Sequence, residues 1–365
     1  MSQPPRLVFL SKRRPSGGDL YQRPFGRFGN LPIELAKKGC KVTVICLSHR
    51  RDENDQRQYM GVDWVSISAS PNPLAAISRL KKQTCEFEPD WVVGFSDTYY
   101  GILATHLAKK IGCQSLVDAY DNYQSYIPWA FPLHWAWRSA LKKADLVSAA
   151  GLPLLELLNT SRPNKDGVIV PMCADENFFS VDEEAAEQCR KKYKLPDDKA
   201  LIGYCGSIDR NRDLALLLEV IEAARNLRPD MLFIVTGRNN RQIEFPDNCL
   251  HLGFVDADDM PGIVTNLDIM LAVNKSSAFG NHSYPVKLYE AAACGVKTIT
   301  SHTQATQWMY GDHSQSLIDV GNCSQLLDKL ITALSTDSST FNLQTGRWSR
   351  SADILAEAMG LSLLR

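Results

Sequence analysis

The sequence predicts an α/β protein with two doubly wound, Rossmann-like domains in series, each a parallel sheet covered by helices. Short β-branched runs alternate with amphipathic stretches along most of the chain, which is typical of parallel strands joined by helices. A polar stretch without strand character, 175–200, interrupts this alternation once. The 365 residues, 44% of them hydrophobic, are enough for two cores at roughly 100–200 residues per domain.

The individual elements follow from the spacing of the apolar residues. In the first half, the predicted strands are 6–10, 41–47, 64–67, 91–95, 114–118, 146–150 and 167–171, and the helices are 26–39, 74–83, 100–112 and 134–144. In the second half, the predicted strands are 200–206, 231–237, 248–254, 267–273, 296–301 and 315–320, and the helices are 211–227, 258–265, 285–294 and 322–335. We therefore expect a first domain over 1–174, a linker over 175–199 and a second domain over 200–340.

Composition and charge exclude several classes of function. The chain carries 40 Lys and Arg against 41 Asp and Glu, a net charge of -1, which argues against nucleic acid as the main partner. The ten cysteines are scattered, form no C-x-x-C motif and are typical of buried thiols in a reducing compartment. No run of about 18 apolar residues and no signal-peptide core occur. We therefore expect a cytoplasmic protein.

The loop after the first strand contains adjacent Gly17 and Gly18 among basic residues. Parallel sheets bind ligands at the carboxyl ends of their strands, and glycines let a phosphate approach the backbone. The arginines of this loop would neutralise that phosphate. The alternative is an ordinary solvated surface loop. No G-x-G-x-x-G motif follows a strand, so a nicotinamide-dependent dehydrogenase is poorly supported.

A second signal for an anion is the pair Arg210 and Arg212, at the predicted start of the helix 211–227. Basic residues at a helix N-terminus oppose the helix dipole, so we expect an anionic ligand to compensate them. The alternative is ion pairing with Asp209 or Asp213.

The stretch YPVKLYEAAACG, residues 284–295, predicts a short helix that begins near Pro285. Lys287 and Glu290 are three residues apart and therefore lie on one face. A glutamate at this edge of the sheet has two oxygens that can accept hydrogen bonds from the vicinal hydroxyls of a ribose. The alternative is a surface ion pair of little energy.

Five segments carry a resemblance to a known family. They are YPVKLYEAAACGVKTITS, GYCGSIDRNRDLALLLE, ADLVSAAGLPLLELL with VIVPMCADENFF, LHLGFVDADDMPGIVTNLDIML, and GRWSRSADILAEAM. In order and spacing they resemble the retaining glycosyltransferases of family 4, which have the GT-B fold. The resemblance implies two domains that face a central cleft, with a last helix, 341–365, that returns toward the first domain.

The resemblance also implies roles for individual residues. Glu290 would bind the nucleotide ribose, Arg212 would replace the family's phosphate-binding lysine, and Gly17 and Gly18 would lie under the diphosphate. Five further residues are expected near the donor diphosphate or sugar: Ser207, Arg210, His282, Ser283 and Lys287. Two of these depart from the family pattern, because His282 stands where a glutamate contacts the donor sugar and Ser207 stands where an arginine binds phosphate. Arg210 is a possible substitute for that arginine.

The implied reaction is transfer of a sugar from a nucleotide-diphosphate sugar to a hydroxyl of a glycan, glycolipid or lipid-linked acceptor, without metal or cofactor. Three carboxylates that follow strands of the first domain, Asp97, Asp118 and Asp121, are candidates near the reacting sugar. Asp97 and Asp121 equally suit the cap of a helix or turn. A non-catalytic nucleotide-sugar binding protein and, more weakly, an epimerase or phosphorylase of the same fold remain alternatives.

The segment 123–143 concentrates aromatic residues, including Trp129, Trp135 and Trp137, ahead of Arg138 and two lysines. Core packing is one explanation. The other is a membrane-facing or acceptor-side surface, shared with the basic loop 12–27, because indole rings suit the membrane interface and cations meet anionic lipid there. A peripheral contact at the inner face of the membrane would serve an acceptor of a cell-surface polysaccharide or lipopolysaccharide.

Overall fold

A computed structural model describes residues 3–15, 17–163, 166–206, 208, 212–239, 242–336 and 341–362. The chain divides into two compact units, Met1–Met172 with Gly346–Arg365, and Cys173–Thr345. The expected fold class of two parallel-sheet α/β domains is confirmed. The stretch expected to be a linker, 175–199, contains a helix of the second unit, and the last helix belongs to the first unit.

The strands are β1 (Arg6–Lys12), β2 (Lys41–Ser48), β3 (Asp55–Tyr59), β4 (Val62–Ser68), β5 (Trp91–Gly94), β6 (Gln114–Ala119), β7 (Leu146–Ala149), β8 (Val168–Ile169), β9 (Ala200–Cys205), β10 (Met231–Thr236), β11 (Cys249–Gly253), β12 (Ile269–Ala272), β13 (Lys297–Ser301) and β14 (Leu317–Ile318). The helices are α1 (Gly26–Lys37), α2 (Pro73–Phe87), α3 (Thr98–Ile111), α4 (Phe131–Lys143), α5 (Leu152–Asn159), α6 (Glu183–Tyr193), α7 (Leu214–Leu227), α8 (Met260–Thr265), α9 (Val286–Ala293), α10 (Gln304–Tyr310), α11 (Cys323–Ser335) and α12 (Trp348–Ala358).

The first unit contains an eight-stranded sheet in the order β3-β4-β2-β1-β5-β6-β7-β8. Its described pairs are parallel except β3 with β4. The connections through α2, α3, α4 and α5 all run in one direction along the sheet, and α1 runs in the other. Because such crossovers are right-handed, α2 to α5 cover one face, and α1 covers the opposite face with α12.

The strand β3 was not expected from the sequence. Its residues, DQRQY, are polar, and none of them is buried. Among the described strands it pairs only with β4, as an antiparallel edge, so neither face of the strand needed an apolar pattern to form.

The second unit contains a six-stranded sheet in the order β11-β10-β9-β12-β13-β14, and its described pairs are all parallel. Its core joins the strands to α7 and α11, through side chains such as Leu217, Val220 and Leu330. The helix α6 packs on α8, where Lys192 forms an ion pair with Asp259 at 2.5 Å. Both sheets thus present several strand ends at one carboxyl edge, where ligands bind in such folds.

Candidate functional site

The carboxyl edge of the second sheet holds the predicted pair Lys287 and Glu290. The helix α9 packs on β12 and β13 and buries Glu290, which is 9% exposed. Lys287 Nζ lies 3.2 Å from Glu290 Oε2, and this charge raises the pKa of Lys287. Lys287 is thus the ionic partner of Oε2, but no described group donates a well-aligned hydrogen bond to this oxygen. A carboxylate in this state is ready to accept a hydrogen bond from a ligand.

The end of the central strand β9 lies beside this pair. Burial raises the pKa of the Cys205 thiol to about 11, and both Lys287 and Glu290 act on it electrostatically. The glutamate is therefore at the strand ends of the sheet, rather than on an outer helix face, as the sequence predicted for a ligand-binding residue.

Asn274 is a second buried polar residue at this edge, and the sequence analysis missed it. It follows β12 by two residues and is 0% exposed. Its Oδ1 accepts from Arg212 Nη1 at 2.6 Å, and its backbone N–H donates to Ser301 Oγ at 3.1 Å. Its Nδ2 has no partner in the described chain. The signal available in the sequence was its place directly after a strand at the carboxyl edge.

Arg212 is held on two sides. Its guanidinium bonds Asn274 and lies over the ring of Phe279, 5.6 Å from the centroid. It precedes α7, which begins at Leu214 rather than near Asn211, and Asp213 caps that helix through Leu216 N–H. The arginine is thus positioned by an amide and a ring rather than by the alternative ion pair with Asp213. Ser207, Arg210 and Asp209 lie outside the described residues.

The residues expected near the donor sugar lie just before α9. His282 Nδ1 is 3.0 Å from the carbonyl oxygen of Ala278, within the 3₁₀ turn Gly280–His282. Ser283 is buried at 4% exposure. The imidazole therefore has a local backbone partner for one nitrogen.

In the first unit, the local structure favours a glycine at two positions of the loop after β1, for a different reason at each. Gly17 has φ +93°, which favours glycine, and a Cβ on Gly18 would approach the ring of Phe25 to 3.0 Å. Either role is compatible with a phosphate nearby, and neither requires one.

The arginines of this loop are neutralised by carboxylates of the same unit. Arg13 Nε bonds Asp19 at 2.9 Å, and Arg14 bonds both Asp19 at 2.8 Å and Asp52 at 2.5 Å. Although burial opposes it, Arg13 lowers the pKa of Asp19, and hydrogen bonds from Arg14 and Ser48 lower the pKa of Asp52. The loop is therefore a salt-bridge network, and the proposal that its arginines complete a phosphate site does not fit Arg13 and Arg14.

Asp118 has a structural environment. Its two oxygens accept from Arg27 Nε at 2.8 Å and Nη2 at 2.6 Å, and Ser148 also donates to it. Both partners of the ion pair are buried, and Arg27 Nη1 bonds the carbonyl oxygen of Val170 at 2.6 Å. The pair ties α1 to β6 and to the end of the unit's sheet, which leaves Asp118 no place for a substrate.

Asp97 and Asp121 differ from Asp118. Asp97 caps α3 by accepting from Tyr99 N–H at 2.9 Å, and desolvation raises its pKa to about 6 although Lys12 opposes the shift. It follows Ser96, whose φ of +71° is unusual for a residue with a side chain. Asp121 is 8% exposed and accepts from Tyr126 Oη at 2.6 Å. Asp97 is the candidate with a pKa suited to proton transfer near neutral pH.

The described residues contain no group of three or more His, Cys, Asp or Glu side chains arranged to hold a metal ion. Among them there is also no helix with the length and apolar character needed to span a membrane.

Family models match both units. The model described as glycosyl transferases group 1 matches residues 185–345, and the model described as glycosyl transferase 4-like domain matches residues 27–171. The chain is also similar to the D-inositol 3-phosphate glycosyltransferase of Stackebrandtia nassauensis, with 25% identity over 230 residues, or 56% of this chain and 50% of the relative. The match thus spans half the length of that relative.

Solved structures show the same fold. A sucrose-phosphate synthase from Thermosynechococcus elongatus has a TM-score of 0.72 and 15% identity, over 98% of this chain and 97% of the other. Anabaena HepE in complex with UDP-glucose has a TM-score of 0.69 and 11% identity, over 98% and 95%. WaaG, a glycosyltransferase involved in lipopolysaccharide biosynthesis, has a TM-score of 0.64 and 16% identity, over 96% and 95%. The chain therefore belongs to the group 1 glycosyltransferases, family 4 of the GT-B fold.

Proposed function

We propose that this glycosyltransferase moves a sugar from a nucleotide-diphosphate sugar to an acceptor hydroxyl with retention of anomeric configuration, using neither a metal nor a cofactor. The observation that carries the proposal is the buried Glu290 carboxylate at the carboxyl edge of the second sheet, whose Oε2 contacts Lys287 but accepts no well-aligned hydrogen bond within the described chain. Two vicinal ribose hydroxyls would supply the missing hydrogen bonds.

In this proposal, Arg212 supplies a positive charge and Asn274 an amide donor to the diphosphate. Negative charge builds up on the departing diphosphate, and fixed donors at that position stabilise the transition state. Arg212 is fixed by Asn274 Oδ1 and by the Phe279 ring, and Asn274 Nδ2 is a buried donor without a partner in the described chain. The pair thus offers a cation and an amide N–H group to one anion.

The names of similar proteins support a nucleotide-sugar donor. HepE was solved with UDP, with UDP and glucose, and with UDP-glucose. WaaG is named for lipopolysaccharide biosynthesis. We infer that the acceptor is a glycan, glycolipid or lipid-linked intermediate of a cell-surface polysaccharide, reached from the inner face of the membrane. Of the first unit's carboxylates, we favour Asp97 over Asp118 as the acid–base group.

Calorimetry with UDP, GDP, ADP and their sugar conjugates tests the donor site. Glu290→Gln keeps the size of the side chain but replaces one acceptor oxygen by a donor. We expect at least a tenfold loss of affinity for the preferred nucleotide, and near-complete loss of transfer in Glu290→Ala. The matched control is Glu222→Gln, since Glu222 forms an equivalent i, i+3 pair with Arg225 on the exposed side of α7. Wild-type nucleotide affinity in both Glu290→Gln and Glu290→Ala would refute the assignment of Glu290 to the ribose.

The proposed independence from metal has its own test. We expect transfer to proceed at an unchanged rate in excess EDTA, because the described residues hold no carboxylate cluster at the proposed diphosphate site. Loss of activity that a divalent ion restores would replace this part of the proposal by a metal-assisted mechanism.

The alternative function is non-catalytic binding of a nucleotide sugar. His282 favours it, because an imidazole replaces the carboxylate expected beside the donor sugar and one of its nitrogens already contacts Ala278. Saturable binding of a nucleotide sugar without either transfer or slow donor hydrolysis would establish this alternative.

A further inference from the structure

Six large side chains at the starts of four helices of the first unit are exposed. They are Leu74 (81% exposed), Tyr99 (56%), Trp129 (77%), Phe131 (61%), Trp135 (66%) and Leu152 (41%). We call these six residues the apolar rim. Single exposed apolar side chains are normal on protein surfaces, whereas a contiguous set indicates an interaction site.

The topology brings the rim together. The helices α2, α3, α4 and α5 follow β4, β5, β6 and β7, so each begins at the carboxyl edge of the same sheet. They also cover the same face, because their crossovers run in one direction and are right-handed. At the usual helix spacing of 8–10 Å, the rim extends over about 30 Å. This is the extent of a flat contact rather than of a pocket for one side chain.

The rim is not unused core. The helix α4 buries His134, Trp137 and Leu141 on its inner face, and Trp137 is 2% exposed. Gly101 of α3 makes room for it, since a Cβ there would lie 2.5 Å from the indole ring. The aromatic residues of the segment 123–143 therefore fall into two groups. Trp137 packs in the core, which was one of the two explanations of this segment, while Trp129 and Trp135 face solvent.

Charge around the rim has one sign on α4. No acidic residue lies between Asp121 and Asp145, and Arg138 and Lys142 are exposed on the helix face of Trp135. At 1.5 Å per residue they lie about 4–11 Å behind Trp135 along the helix. That depth suits a tryptophan at the level of the headgroups with cations against lipid phosphates. Arg79 adds an exposed cation on α2.

We propose that the apolar rim, with Arg138 and Lys142, docks the first unit on an anionic lipid bilayer. The basic loop 12–27 is not part of this surface, because Arg13, Arg14 and Arg27 are paired with carboxylates of their own unit. A bilayer fits better than a second protein surface, since the rim is spread over four helix starts and combines indole and phenol rings with cations. Docking in this orientation does not depend on the proposed reaction, because it requires no nucleotide and no turnover.

Co-sedimentation of the full chain with vesicles tests the proposal. We expect binding to vesicles of phosphatidylcholine with one quarter phosphatidylglycerol at low salt, and at least tenfold weaker binding to phosphatidylcholine alone. The triple variant Trp129→Ser, Phe131→Ser and Trp135→Ser should lose tenfold or more in partition. The matched control is Leu227→Ser with Phe254→Ser, which removes equally exposed apolar side chains (67% and 69%) from the second unit and should bind as the wild type does.

Two further measurements distinguish a lipid bilayer from a second copy of the chain as the partner of the apolar rim. Arg138→Gln with Lys142→Gln should weaken binding to anionic vesicles and reduce its dependence on salt, while an unchanged circular dichroism spectrum and thermal unfolding curve show that the variants are folded. Equal partition of the wild type and the triple variant, or no binding by the wild type, overturns the proposal. A concentration-dependent dimer that the triple variant abolishes, without vesicle binding, would assign the rim to a second copy instead and overturn the proposal as well.

Discussion

The carboxyl edges of the two sheets differ in how their polar side chains are satisfied. In the first unit, charged groups neutralise one another: Arg27 pairs with Asp118, and Arg13 and Arg14 pair with Asp19 and Asp52. At the carboxyl edge of the second unit, Glu290 Oε2 and Asn274 Nδ2 are buried and make no hydrogen bond among the described residues, although Lys287 Nζ lies 3.2 Å from Glu290 Oε2.

This difference distinguishes charges neutralised within the fold from the polar groups that we propose bind a ligand. A buried polar atom without a hydrogen bond costs free energy, and a ligand that supplies the bond removes that cost. A guanidinium held by a carboxylate has no such need. The type of residue alone therefore does not identify the site, because both edges contain arginines and carboxylates next to strand ends.

The largest expected effect concerns the buried pair in the first unit. Asp118→Ala leaves the Arg27 guanidinium buried without its counter-ion, and we expect the free energy of unfolding of that unit to fall by about 3–5 kcal/mol. Denaturant unfolding, with hydrogen exchange of the α1 amides as a local probe, measures the loss. Ser148→Ala, which removes one hydrogen bond to the same carboxylate, should cost only about 1 kcal/mol. Equal effects of the two changes would contradict a structural ion pair.

Asp97 is the exception at the first edge, because desolvation raises its pKa to about 6 although Lys12 and the backbone N–H groups of Tyr99 and Tyr100 oppose the shift. The folded protein then binds this proton more tightly than the unfolded chain, whose pKa is 3.8, so stability falls as pH rises from about 4 to 6. Asp97→Asn keeps the helix cap and removes this term. We expect it to be about 1–2 kcal/mol more stable than the wild type at pH 7–8 and equal at pH 4, allowing for partial exposure. Parallel stability curves for the two proteins would exclude the raised pKa.

Asn274→Asp sharpens the contrast at the second edge. The carboxylate still accepts from Arg212 but no longer offers an N–H group and adds a negative charge beside the proposed diphosphate. We expect about tenfold or more loss of nucleotide-diphosphate affinity, about 1.4 kcal/mol, by calorimetry. Asn248→Asp is the control, since Asn248 precedes β11 at the opposite edge and bonds Ile221. If both variants bind equally well, Asn274 is a structural amide.

The smallest effect is expected in the salt-bridge network of the first loop. Arg14 is 20% exposed and shares its carboxylates with Arg13, so Arg14→Ala should lower the free energy of unfolding by under about 1 kcal/mol. We also expect no change in nucleotide affinity, because the guanidinium is already neutralised. A tenfold loss of affinity would show that this arginine leaves its network to bind the donor, and the contrast between the two edges would fail.

The sequence by itself determined the two parallel sheets, most helix and strand positions, and the shared face of Lys287 and Glu290. These features repeat at periods of two or about four residues, so a short window of sequence contains them. The polar edge strand β3 was not predicted because it has no apolar pattern. The start of α4 was expected three residues late, since Pro132 occupies the first turn, where proline is tolerated.

Only the tertiary structure decided which charges are neutralised and which buried polar atoms lack a hydrogen bond among the described residues. Arg27 meets Asp118 across 91 residues, and Arg212 meets Asn274 across 62. Such contacts depend on strand order, since β1, β5 and β6 are neighbours in one sheet and β9 and β12 are neighbours in the other. Local patterns do not encode strand order, because pairing is selected by packing over the whole sheet. The same packing buries Trp137 and leaves Trp135, two residues away on α4, at the surface.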